Sequence, residues 1–101
     1  MTELKNKELM LAPLAGVTDV AYRIICEKYG ADKTFTEMVN VNALAFDNKQ
    51  TEEIMYISDL EKKANIQIFG RDLEKIEKAI KEKINPIDSV SEISFNMGCP
   101  A

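Results

Sequence analysis

The stretch NIQIFGRDLEKIEKAIKEKINPIDSVSEISFNMGCP, residues 65–100, decides the fold. Its opening residues alternate. Ile66 and Ile68 share one face, while Asn65, Gln67 and Phe69 share the other, which is the period of a strand. Residues 73–84 then place Leu73, Ile76, Ile80 and Ile84 on one helical face and fill the other with Lys and Glu. Pro86 ends that helix. Residues 91–97 return to alternation, with Ile93, Phe95 and Met97 on one side and Ser94, Asn96 and Gly98 on the other. Strand, helix and strand in this order make a βαβ unit, whose strands run parallel.

The same grammar continues toward the amino terminus. Residues 9–14 read as a buried strand. Residues 19–29 read as a helix, with Thr18 as its N-cap, Val17 and Tyr22 as a hydrophobic staple, and Gly30 as the glycine past its end. Residues 34–38 read as a further strand, and residues 41–46 and 51–57 as short helices. The fold class is therefore α/β, with about four βα units and parallel strands. Glu37, Gln67 and Asn96 each fall near the carboxyl end of a different strand. A (β/α)₈ barrel, or an open α/β sheet, gathers its site residues there. A whole barrel needs about 250 residues. A chain of 101 residues holds about four strands, too few to close such a barrel, and its last strand is expected to lack a following helix.

Composition narrows the function. Apolar residues make up 46% and charged residues 30%, ordinary for a globular domain. No apolar run approaches the roughly 20 residues of a membrane span, and the polar start does not resemble a secretory signal. A cytoplasmic protein is expected. There is no histidine, which removes imidazole bases and most zinc sites from these residues, so no metal is expected. The two cysteines, Cys26 and Cys99, do not suggest a disulfide framework. A net charge of −4 provides no basic surface for nucleic acid, so any RNA contact must come largely from elsewhere.

Four features carry chemistry. In Asn96-Met97-Gly98-Cys99-Pro100, the proline biases Cys99 to an extended backbone and Gly98 permits a tight exit from the strand. The Cys99 thiol can then stand above the sheet as a general acid, since its reference pKa near 8.5 leaves it protonated at neutral pH. A buried cysteine at a strand end is the competing reading. In LAPLAGVTD, residues 11–19, small residues after a strand let backbone approach a flat ligand; a plain βα turn with a helix cap is the alternative. Gln67 carries an amide that donates and accepts at once, which suits the edge of a flavin pyrimidine or a nucleobase, or it is a solvated strand residue. Glu37 either orients a neighbour or faces water. Cys26 reads as packing, and Arg23 with the Lys and Glu runs as solvated helix faces.

The ordered series LAPLAGVTD, YGAD, TEM, QIFG and FNMGCPA resembles the tRNA-dihydrouridine synthases, in their bacterial form, over essentially the whole chain after Glu8. The resemblance implies an FMN-binding TIM barrel followed by a helical RNA-binding domain. Residues 1–101 would be the truncated amino-terminal part of that TIM barrel, about four βα units, with the rest of the barrel and the RNA-binding domain absent. It implies that FMN, recharged by NADPH, gives a hydride to carbon 6 of a tRNA uridine, and that a cysteine protonates carbon 5 to yield 5,6-dihydrouridine. By resemblance Cys99 is that catalytic acid. Pro13, Leu14 and Ala15 would line the flavin, Gln67 would bond its pyrimidine edge, and Asn96 would contact it and orient the base. Most relatives carry methionine where Leu14 stands, a volume-conserving exchange. The family's later flavin-binding lysine and histidine, and its glycine-rich phosphate loops, have no counterpart in these residues. A related FMN barrel, such as a dihydroorotate or dihydropyrimidine dehydrogenase, would lack the TEM and QIFG pair. A structural fragment with no activity of its own is the remaining alternative, and these residues alone are expected neither to retain FMN nor to reduce tRNA.

Overall fold

A computed structural model describes residues 6–98. Three parallel strands form one sheet in the order β1 (Thr34–Asn40), β2 (Ala64–Phe69), β3 (Ile93–Phe95). Helix α1 (Val20–Lys28) precedes β1. Helices α2 (Val41–Ala45) and α3 (Lys49–Met55) connect β1 to β2, and α4 (Leu73–Lys78) connects β2 to β3. Each helix starts where an Asp or Asn side chain accepts from the first free backbone N–H groups: Asp19 from Tyr22, Asn40 from Asn42, Asn48 from Thr51, and Asp72 from Glu74 and Lys75. Such caps fix helix starts because those donors have no partner within the helix. The parallel sheet with helical crossovers is the α/β arrangement expected of the amino-terminal part of a TIM barrel.

The core fills the space between one sheet face and α2 to α4. Val39, Val41, Leu44, Ile66, Ile68, Ala79 and Ile84 are all buried there, with Met55 beside them. Ile66 and Ile68 lie on this face as the alternation requires, and pair in register with Ile93 and Phe95.

The structure corrects several expected elements. Residues 9–14 do not form a strand; they make one bridge, Met10 to Lys33, with Leu11 N–H donating to Lys33 O at 2.9 Å. Pro13 has no N–H to continue a ladder, and the N–H of Leu14 turns to the hydroxyl of Thr18. Leu9 and Leu14 are accordingly about half exposed. The cap of α1 is Asp19, not Thr18, which is buried. The helix after β2 changes character: beyond α4 the backbone widens into a π-helical segment, Ala79–Ile84, closed by Asn85 N–H to Ile80 O at 2.8 Å. Ala79 and Ile84 of this segment lie in the core, while Leu73, at the start of α4, is 79% exposed. The last strand is shorter than expected. Asn96 N–H still bonds Ile68 O, and the Asn96 side chain then accepts from Gly98 N–H at 2.9 Å and bends the chain away. Met97 is left 90% exposed.

Gly70 ends β2 against the first residue of α2. A Cβ at this position would lie 2.2 Å from Cγ2 of Val41, which is fully buried and has no room to retreat. Gly70→Ala is expected to destabilise by about 1–3 kcal/mol. Val41→Ala in the same chain should be less than additive, as read from urea midpoints.

At the surface, Lys83 Nζ bonds both Asp47 and Glu52. The Lys83 hydrogen bond holds the Asp47 carboxyl below its ordinary range, and the two carboxylates raise Lys83. The Asp47 contribution is therefore present above 3.8 and lost as pH falls through its lowered folded value. That of Lys83 is present below 10.5 and lost as pH rises through its raised value. Melting-temperature differences between about pH 7 and about pH 2 should be smaller in Asp47→Asn than in the wild type.

Candidate active site

The carboxyl ends of all three strands contribute to one polar cluster. Its geometry depends on an irregularity in β1. Phe35 pairs with Asn65 and Met38 with Gln67, so two residues of β1, Thr36 and Glu37, oppose one of β2. This bulge re-aims the strand. Met38 joins the Gln67 face, and Val39 returns to the core beside Ile68. Asn96 Nδ2 lies 2.9 Å from Met38 Sδ and 3.4 Å from Gln67 Oε1. Gln67 Nε2 donates to Ser94 Oγ at 3.0 Å. Gln67 and Asn96 are both half-buried, and each amide keeps donor or acceptor capacity for a further partner.

Below this cluster, Asn65 is buried and organises the approach to β3. Its Oδ1 accepts from Ser91 N–H at 3.1 Å and Glu92 N–H at 2.9 Å. One amide side chain thus sets where β3 begins, and hence where Ser94 and Asn96 fall.

The turn carrying Pro13, Leu14 and Ala15 is tied to the same strand. Gly16, at φ +75°, donates its N–H to Glu37 Oε1 at 2.5 Å. Glu37 therefore orients a neighbour rather than facing water, and the residue after it is Met38, which touches Asn96. Leu14 is 48% exposed, while both its backbone polar groups bond Thr18.

Arg23 overturns its reading as a solvated helix residue: it is 1% exposed. Nε donates to Glu61 Oε1 at 2.7 Å and Nη2 to Glu61 Oε2 at 3.1 Å, a bidentate pair. Nη1 donates to Thr18 O and Nη2 to Tyr56 O, both at 2.8 Å. Glu61 also accepts from Ser58 N–H at 2.8 Å. Burying two charges is tolerable only when they are paired and hydrogen-bonded, and here every nitrogen of the guanidinium and both carboxylate oxygens have a partner.

The structure thus brings Gln67 and Asn96 together and links the Pro13–Leu14–Ala15 turn to β1, the strand whose Met38 touches Asn96. Cys99 lies outside the described residues, one position past Gly98. The sequence reading missed Thr18, Arg23 and Glu61. The available signal was that Arg23 shares a helical face with Val20, Ile24 and Glu27, at spacings that keep it off the solvent side. Cys26 is a free cysteine beside an apolar hollow lined by Leu9, Met10, Leu11, Tyr29 and Ala31. Among the described residues no group of His, Cys, Asp and Glu is arranged to hold a metal, and no helix is long and apolar enough to cross a membrane.

Residues 10–101 match the family model for dihydrouridine synthase. The chain belongs to the dihydrouridine synthase family. It is 43% identical over 100 residues to a probable tRNA-dihydrouridine synthase of Helicobacter pylori, covering 98% of this chain and 30% of that protein. It is 38% identical over 99 residues to tRNA-dihydrouridine synthase B of Shewanella oneidensis, with the same coverage of both chains. A probable tRNA-dihydrouridine synthase of Aquifex aeolicus is 33% identical over 98 residues, covering 94% of this chain and 29% of the relative. The chain spans about 30% of the length of these curated relatives.

Removing one partner of the buried pair strands the other charge. Arg23→Ala and Glu61→Ala are each expected to destabilise by about 3–5 kcal/mol. The double variant should fall short of the sum, with a coupling of about 0.5–3 kcal/mol in a urea double-mutant cycle.

Proposed function

We propose that residues 1–101 are the amino-terminal portion of the FMN-binding TIM-barrel domain of a cytoplasmic tRNA-dihydrouridine synthase. The substrate is a uridine in tRNA, the product 5,6-dihydrouridine, and the hydride source NADPH. The observation that carries this reading is the cluster of Gln67, Asn96 and Met38 at the ends of three adjacent strands, beside a turn of small residues pinned to the same strand. The relatives' printed function, tRNA-dihydrouridine synthase, supports the substrate class.

The residues suit a flavin. Its pyrimidine edge presents alternating donors and acceptors, and Gln67 can meet such an edge with the amide N–H and lone pair it has left after bonding Ser94 and Asn96. The turn at Pro13, Leu14 and Ala15 offers small or apolar surface against which a flat ring can lie. Bound FMN supplies the hydride that reaches carbon 6 of the uridine. Cys99 holds the proton for carbon 5, since a thiol with a reference pKa near 8.5 is protonated at neutral pH. Asn96 orients the base, held in turn by Met38 and Gln67. Contact with the tRNA backbone falls mostly to regions beyond these residues, because this segment carries a net charge of −4 and phosphate binding needs cations.

In the full-length enzyme, Cys99→Ala is expected to slow uridine reduction by about 10²–10⁴-fold while NADPH still reduces the flavin. Separate stopped-flow measurements of the two half-reactions test this; loss of both together, or of neither, would count against the proton-donor role. Gln67→Ala should weaken FMN retention, measured by the flavin released on gel filtration.

A further inference from the structure

We propose that Thr18 and Arg23 are positioning residues for the flavin, acting through Leu14 by holding the backbone of the turn that lines it. The inference rests on the FMN reading above and adds two residues that do not touch the cofactor. Thr18 is fully buried, and its hydroxyl bonds one residue twice. It donates to Leu14 O at 3.2 Å and accepts from Leu14 N–H at 3.1 Å. The backbone N–H groups of Val17 and Thr18 also converge on Leu14 O, each at 3.0 Å. The Thr18 carbonyl is in turn held by Arg23 Nη1 at 2.8 Å, and Arg23 is anchored by the buried Glu61 carboxylate.

This chain of contacts matters because, beyond the bond of Gly16 N–H to Glu37, the turn has little else to fix it. Ala12, Leu14, Ala15, Gly16 and Val17 are exposed, and the ladder at Met10 is a single bridge. An exposed segment with few apolar contacts opens readily, and a loop that must be ordered on binding loses affinity. The guanidinium fork and the Thr18 hydroxyl order the turn in advance. The other end of α1 provides a comparison. There Glu27 accepts from Lys62 N–H at 2.9 Å and Lys63 N–H at 3.4 Å, an anchor for the same helix that makes no direct bond to the turn or to Arg23.

The test uses the full-length enzyme stripped of flavin. The FMN dissociation constant is read from flavin fluorescence quenching, and hydrogen exchange is followed at the Leu14 and Gly16 amides. Thr18→Val keeps the side-chain shape and removes the hydroxyl. It should weaken FMN about tenfold, the equivalent of one or two lost hydrogen bonds, and speed exchange at Leu14. Thr18→Ser should restore both. Arg23→Lys, which keeps the charge but not the fork, should resemble Thr18→Val. Glu27→Ala should leave FMN affinity within about twofold of wild type. Wild type binding FMN alongside Thr18→Val binding as tightly as Thr18→Ser, with unchanged exchange, overturns the positioning role alone; so does an equal loss in Glu27→Ala, which would reduce the effect to general destabilisation. A wild-type enzyme that does not bind FMN overturns the functional reading and this inference together. If Arg23→Lys fails to fold, the Thr18→Val and Thr18→Ser pair decides.

Discussion

A guanidinium removed from water needs a partner for its charge and for its N–H groups, and this requirement organises much of the amino-terminal half. Arg23 reaches Glu61, Thr18 and Tyr56 at once. Those residues belong to the turn before α1, the end of α3 and the loop before β2. None can shift far without leaving a donor or an acceptor buried and unpaired, which is more costly than the net gain from making an ordinary hydrogen bond. The planar fork also matters: a lysine would offer a point charge and could not meet the same set of acceptors. This one network therefore ties α1 to the loop before β2 and sets the far end of the turn that carries Pro13, Leu14 and Ala15.

The second constraint is the bulge in β1. Without it, strict alternation would carry the Thr34 and Thr36 face straight on to Met38 and turn Val39 away from the core. Inserting one residue reverses that order beyond Thr36. Met38 then meets Asn96, Val39 meets the core, and Glu37 reaches Gly16. The chemistry proposed for Gln67 and Asn96 depends on this switch, because it supplies the third strand of their cluster.

Much was legible beforehand. The alternation of Ile66 and Ile68 against Gln67, and of Ile93 and Phe95 against Asn96, placed both amides on one face, and the structure keeps that assignment. The spacing of Ile76, Ile80 and Ile84 marked the crossover helix. Other features could not be read locally. Residues 9–14 are as apolar as a buried strand, yet Pro13 and the competing Thr18 hydroxyl reduce them to one bridge. Leu73 fits the apolar stripe, yet at the first position of α4 it stands largely exposed. Arg23 lies on the Val20 and Ile24 face of α1, but its partner Glu61, distant in sequence, is brought against it only by the fold.

Sequence by itself determined the parallel α/β pattern, the positions of Gln67 and Asn96 on their strands, and the family resemblance carried by the ordered motifs. These depend on period and local order, which a linear string records directly. Tertiary structure decided which groups meet: the Arg23–Glu61 pair, the Glu37–Gly16 bond, and the contact of Met38 with Asn96. Each joins residues far apart in the chain: the first follows from buried charges having to find partners, a requirement that exists only once packing has removed the water, and the other two from the bulge that re-aims β1.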